Sequence, residues 1–179
     1  MVLLSKQTLK AFLLNENTQI ALIYLIAFCV PFLFRQPQLL IGSIVNFLLI
    51  LSVARFGIKK IIPLVFIPSI SSFLNGVLFG TFTPYLIYMI PFIAMGNLIY
   101  VFSFKYSRSK FIRVILSSLL KASFLFSCTY ILVNTLHIPQ IFLTTMGAIQ
   151  LFTALVGGIF AEILIAKFNR LMYSKDRDI

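Results

Sequence analysis

The sequence predicts an all-α polytopic membrane protein: six transmembrane helices in one bundle, with both termini in the cytoplasm. Three observations carry this. Hydrophobic residues make up 60% of the 179-residue chain and mean hydropathy is +1.05, against about 45–50% apolar residues in an ordinary soluble domain. The apolar residues fall into six runs separated by short polar, proline- or glycine-bearing connections, with no repeat, linker or soluble domain between them. Finally, alternate connections collect the basic residues. One side receives Lys6 and Lys10, then Arg55, Lys59 and Lys60, then Lys105, Arg108, Lys110 and Arg113, then Lys167, Arg170, Lys175 and Arg177, whereas the other receives Arg35. Excess Lys and Arg mark cytoplasmic loops, so the net charge of +11 is a topology signal and not the footprint of a nucleic-acid partner.

Residues 1 to 18 place Leu9, Phe12 and Leu13 at helical spacing beside Lys6 and Lys10, the pattern of a cytoplasmic segment lying on the membrane surface. No small-x-small cleavage site follows, so the first hydrophobic run is expected to stay as an anchor. The bundle spans residues 19 to 168. Gln19 to Phe34 is the first span, ending at Pro31 to Gln36, and Leu39 to Ala54 is the second; both are shorter than the ~20 residues needed for ~30 Å of hydrocarbon and borrow flanking residues. Ile61 to Asn75 is the third, with a kink expected at Pro68. An uncharged turn, Gly76 to Thr83, leads to Thr83 as N-cap and Pro84 as first residue of the fourth helix, which runs to Phe104 and holds Pro91. Lys105 to Lys110 is a basic connection. Phe111 to Asn134 is the fifth span, His137-Ile138-Pro139 a turn, and Ile141 to Lys167 the sixth, before a charged tail from Asn169 to Ile179.

Polar residues inside such spans are costly and mark function or packing. At ~1.5 Å per residue, Asn97, Lys121 and Gln150 fall within roughly 6 Å of one plane at the bilayer centre, one on each of the last three helices. Lys121 is the most informative, since a central lysine costs about 2.5–3.5 kcal/mol to insert. Glu162 lies roughly 13 Å from its level. Two readings stay open for Lys121: a neutral or carbonyl-bonded amine that serves packing, or the counter-charge for an anionic ligand group with Asn97 and Gln150 flanking it. Ser72 and Asn75, one turn apart, extend that site outward or else satisfy kinked backbone. Glu162 is expected to pair with Arg55 or Arg113, and Asn46 to join helices. The stripe Ala154, Gly157, Gly158 and Ala161 is a packing face, or alternatively a docking face for a partner.

No cofactor or metal is expected. Cys29 and Cys128 lie in separate apolar runs and His137 has no ligand-type neighbour. A GxSG serine with a helical histidine, paired aspartates and clustered carboxylates are all absent from the sequence, so it predicts no enzyme. Two non-catalytic classes remain, a membrane-embedded ligand-binding protein and a structural or assembly subunit of a membrane complex.

The motifs PS(I)…NG…FG…TP…PFI…GN from Pro68 to Asn97, Lys121 in the fifth helix, and QLFTALVGGIFA from Gln150 to Ala161 together resemble a group of small prokaryotic membrane proteins allied to the S-components of energy-coupling factor transporters. The resemblance covers residues 38 to 166. It implies a six-helix protein of the prokaryotic cytoplasmic membrane that binds a vitamin or similar micronutrient in its outer half. Such a protein delivers its ligand by docking on a coupling subunit that carries two ATPases. The ligand implied by Lys121 is small and carboxylate-bearing, and the other partners are membrane lipids. One feature of the family is missing: an alanine pair at i, i+4 on the first helix, where Ala21 and Ala27 stand six apart.

Overall fold

The computed structural model describes residues 15–34, 36–76, 80–107 and 109–175, and among these there is no strand. Helices α1 (Glu16–Leu33), α2 (Gln38–Phe56), α3 (Ile62–Asn75), α4 (Leu86–Tyr106) and α5 (Lys110–Leu136) are followed by a composite rod. Its pieces, Ile141–Thr144, a π turn at Thr145–Ile149, and Gln150–Lys175, are together called α6. Five of these helices are long and apolar enough to cross a membrane. The other, α3, has 14 residues and is extended at its start by a 3₁₀ turn at Lys59–Ile61.

The helix ends follow local chemistry. Asn15 caps α1 by accepting from the Asn17 N–H at 2.9 Å, and Glu16 sits in the first turn, where the helix dipole favours an acid. Gly76, at φ 72°, closes α3 in the left-handed conformation that glycine adopts without steric cost. The first helix carries Pro31 within it and ends at Leu33, inside the stretch Pro31 to Gln36 where its end is expected. Two expectations are corrected. Thr83 does not cap the fourth helix: Gly80–Tyr85 winds as a 3₁₀ turn that carries Pro84 and feeds directly into Leu86. The last helix passes Lys167 and reaches Lys175, as nothing between them is a proline or glycine. The surface segment expected over residues 1 to 18 lies outside the described residues up to 14, and its final part belongs to α1.

The six helices close into a ring in the order α1, α2, α6, α5, α4, α3, with α2 also touching α4 across the middle. Consecutive helices alternate in direction. Arg55, Lys59, Lys60, Lys105, Arg113 and Lys167 consequently gather at one end, here the basic end, and the connections α1–α2, α3–α4 and α5–α6 lie at the far end. Outward-facing residues are strongly apolar, Leu25, Ile87, Met95, Ile131, Phe152 and Phe160 among them. Polar side chains such as Asn46, Ser71, Asn97, Lys121, Thr129 and Thr153 are turned inward. That distribution suits a lipid surround, in which apolar surface costs nothing and every polar group needs a protein partner.

The most extensive contact joins α2 to α6. A Cβ on Gly157 would stand 2.5 Å from the Ser43 carbonyl oxygen and 2.7 Å from the Phe47 nitrogen, so the two backbones touch there. On the same stripe, a Cβ on Gly158 would meet the Tyr100 hydroxyl and Val114, and Ala154 and Ala161 are fully buried. The small residues of α6 are thus spent on packing inside this chain. Helices α1 and α3 run in the same direction and are laced by side chains reaching backbone. Ser71 donates to the Phe28 carbonyl at 2.5 Å, Asn75 to the Phe32 carbonyl, and Tyr24 to the Lys60 carbonyl. A Glu16–Lys60 ion pair at 2.7 Å closes the basic end of this seam.

Two apolar cores result. One, containing Leu49, Ile50, Val53, Ile61, Val65, Tyr100, Val101, Phe104, Val114 and Ala161, fills the basic half. The second, containing Leu86, Met89, Ile93, Leu125, Phe142 and Met146, fills the far half between α4, α5 and α6. On the α1–α2–α3 side the far half is not filled, and a cavity remains.

Candidate functional site

The cavity has a volume of about 80 Å³, is partly open, and receives residues from all six helices. Its floor, near mid-depth of the bundle, is Lys121 with Asn46 and Asn97. Its walls are apolar, Ile41, Val45, Leu86, Ile93, Met146 and Ile149, interrupted by Gln38, Ser69, Ser72, Gln150 and Thr153.

Lys121 is 2% exposed. Its Nζ donates to Asn46 Oδ1 at 2.6 Å and to Asn97 Oδ1 at 2.8 Å, and it stands 5.3 Å from the centre of the Tyr100 ring. The remaining half of each amide is also engaged. Asn46 Nδ2 donates to Thr153 Oγ1 at 3.1 Å, and Asn97 Nδ2 donates to the Val65 carbonyl at 2.9 Å. Thr153 in turn donates to the Gln150 carbonyl at 3.2 Å, and Tyr100 to the Ala154 carbonyl at 2.7 Å. A continuous polar chain therefore links α3, α4, α5, α2 and α6. Each amide NH₂ is committed elsewhere, so both amide oxygens are aimed at the lysine, as its buried N–H donors require.

No carboxylate among the described residues pairs with Lys121. Glu162 is held by Arg113 instead, with Nε 2.8 Å from Oε2, and the Arg113 guanidinium lies 4.4 Å over the Phe104 ring at the basic end. The sequence offered Arg55 or Arg113 as its partner, and the geometry selects Arg113.

Four of the five candidate ligand residues, Ser72, Asn97, Lys121 and Gln150, line this one cavity. The fifth, Asn75, does not; its amide faces α1 and bonds the Phe32 carbonyl. Ser72 and Asn75 are three residues apart, about 60° apart in azimuth on a helix of 3.6 residues per turn, and the packing of α1 against α3 takes one and leaves the other for the cavity. Asn46, Thr153, Tyr100 and Gln38 belong to the site without having been assigned to it. For Asn46 a signal existed, since it stands at the middle of its span and hence at the level of Lys121. For the rest, helices that are apolar on every side give no sign of which face looks inward.

A further feature is visible only in three dimensions. The π turn Thr145–Ile149 precedes Gln150, whose N–H is shared between the Thr145 and Gly147 carbonyls. Such turns recur at functional sites because the extra residue re-aims the side chains around it. Here it brings Met146, Ile149, Gln150 and Thr153 onto one wall. The side chains of Gln38, Ser72 and Gln150 make no hydrogen bond with any described residue, so the wall holds uncommitted polar groups above a floor whose two amides are engaged at both ends. No protein-family model, curated protein or solved structure matches this chain.

Proposed function

We propose that this protein is a non-catalytic, ligand-binding membrane component of micronutrient uptake, similar to the S-components of energy-coupling factor transporters, and that it takes an anionic small molecule into the cavity above Lys121. One observation carries the reading: Lys121, buried within the bundle with no carboxylate partner among the described residues, forms the floor of a cavity whose walls present uncommitted Ser72, Gln38 and Gln150. Lys121 is almost wholly enclosed yet lines this cavity, so a ligand that enters comes to rest beside the lysine. In this reading all six helices cross the prokaryotic cytoplasmic membrane, the basic end is cytoplasmic together with both termini, and the cavity opens toward the outside. A coupling subunit with two ATPases would energise release. The exposed, apolar flank of α1, with Leu22, Leu25, Ile26, Phe32 and Leu33, is available to such a subunit or to lipid.

The competing class, an assembly subunit without a ligand, has the α1–α3 seam in its favour, where Ser71 and Asn75 serve helix contact alone. The test is what small molecule survives purification. Mass spectrometry of extracts from the parent protein and from Lys121→Met should show an acidic compound retained by the first and lost, at least tenfold, by the second. Equal retention, accompanied by a lower melting temperature in the variant, would refute the site and leave the assembly reading.

A further inference from the structure

Resting on that reading, we infer that the cavity selects monoanions: the end of the ligand that it buries is a single carboxylate on a short, unbranched carbon segment, and dianions are rejected. Charge stoichiometry comes first. The floor holds one cation, and two of its three N–H groups are already engaged by Asn46 and Asn97 at 2.6 and 2.8 Å. One N–H remains for an incoming oxygen, which is one charge-assisted hydrogen bond and neutralisation of one charge. The other uncommitted groups, Ser72, Gln38 and Gln150, are neutral. A second negative charge would be left uncompensated near mid-membrane, the situation that makes buried ions so costly. Arg113 gives no relief, because it lies at the basic end and is bound to Glu162.

Size is the second restriction. About 80 Å³ is several times the ~10–15 Å³ that one water needs and roughly half of the ~150 Å³ that admits benzene. A carboxylate with a few methylene groups suits this space beside Lys121, against Ile93, Val45 and Met146, better than an aromatic ring attached directly to the carboxylate. Phosphate is small enough but is in large part a dianion at neutral pH, with a mean charge of about −1.5. A lone lysine also lacks the forked donors that favour phosphate. The remainder of a longer ligand would extend toward Gln38 through the open side.

The experiment uses purified full-length protein in detergent and four probes: sodium butyrate, benzoate, succinate and phosphate, at equal ionic strength against chloride. Saturation-transfer NMR reads the organic acids and a melting-temperature shift reads all four. Butyrate should bind saturably, at least tenfold more tightly than benzoate, succinate or phosphate, and lose at least tenfold in affinity in Lys121→Met. Succinate or phosphate binding as tightly as butyrate, in a Lys121-dependent manner, would overturn the charge rule while leaving the anion site intact. Benzoate binding as tightly as butyrate would overturn the size rule alone. If no anion gives a Lys121-dependent signal, the proposed site itself fails and this inference with it. Gln150→Leu, on the cavity wall, supplies a second variant: a threefold or greater loss of butyrate binding supports the placement, and unchanged binding overturns it.

Discussion

The ammonium of Lys121 and the amide oxygen of Asn46 lie 2.6 Å apart across 75 residues of chain, and the cavity rests on that contact. If it is a true pair, the two residues are energetically coupled. Lys121→Met leaves two buried amide oxygens, of Asn46 and Asn97, without their donor, and Asn46→Leu leaves the buried lysine with one acceptor fewer. Each single change should destabilise the protein, and the double variant should cost less than the sum by about 1–3 kcal/mol. Denaturation of all four proteins in one detergent closes the cycle; additive changes would show the contact to be incidental.

Thr153 should act through Asn46. Its hydroxyl accepts from Asn46 Nδ2 at 3.1 Å and so decides which end of that amide faces the lysine. Thr153→Val keeps the shape and removes the acceptor, with an expected loss on the order of 1–2 kcal/mol. Thr153→Ser restores the hydroxyl and should recover most of it. Serine behaving like valine would assign the effect to packing against Gly42 instead.

Gly157 and Gly158 should differ although they are neighbours. A methyl group on Gly157 meets α2 backbone at 2.5 Å, which can yield only if the helices part, whereas on Gly158 it meets side-chain atoms of Tyr100 and Val114 that can shift. Gly157→Ala should therefore destabilise by about 3 kcal/mol or more and Gly158→Ala by about 1 kcal/mol. Melting temperatures in the reverse order would contradict the α2–α6 register.

Arg113 and Glu162 are about four-fifths buried, with side chains 19% and 16% exposed. Removing one partner strands the other. Glu162→Ala should cost on the order of 3 kcal/mol, and the double change Arg113→Met with Glu162→Leu should recover much of that loss. A double variant no more stable than Glu162→Ala would point to a separate role for one of the pair.

Topology is open to direct test in a background lacking Cys29 and Cys128. Cysteines placed at His137 and Ser174 should be labelled from opposite sides of the membrane, His137 from outside intact cells and Ser174 only after permeabilisation. Labelling of Ser174 from outside would invert the assignment.

The amino-acid sequence by itself determined the helical class, the six runs, most of their ends to within a few residues (the last helix runs on from Lys167 to Lys175), and the common level of Asn97, Lys121 and Gln150, which line one cavity. Those properties depend on composition, on the ~1.5 Å rise and on where lysines and arginines are placed along the chain. It also showed that Lys121 has no acid at its level, because the four acidic residues of the chain are few enough to place one by one. Azimuth was the property it lacked. In a soluble protein the polar face of a helix points out and the apolar face in, but α1, α2, α4 and α6 are apolar nearly all round, so nothing in the chain brought Asn46 to Lys121, and on α3 Ser72 and Asn75 share the more polar side. Tertiary packing decided that. The close approach of α2 to α6 at Gly157, the seam that commits Asn75 to α1, and the π turn before Gln150 rotate particular side chains toward one space. Only helix–helix contact, which no helix encodes alone, turns residues at one depth into a site.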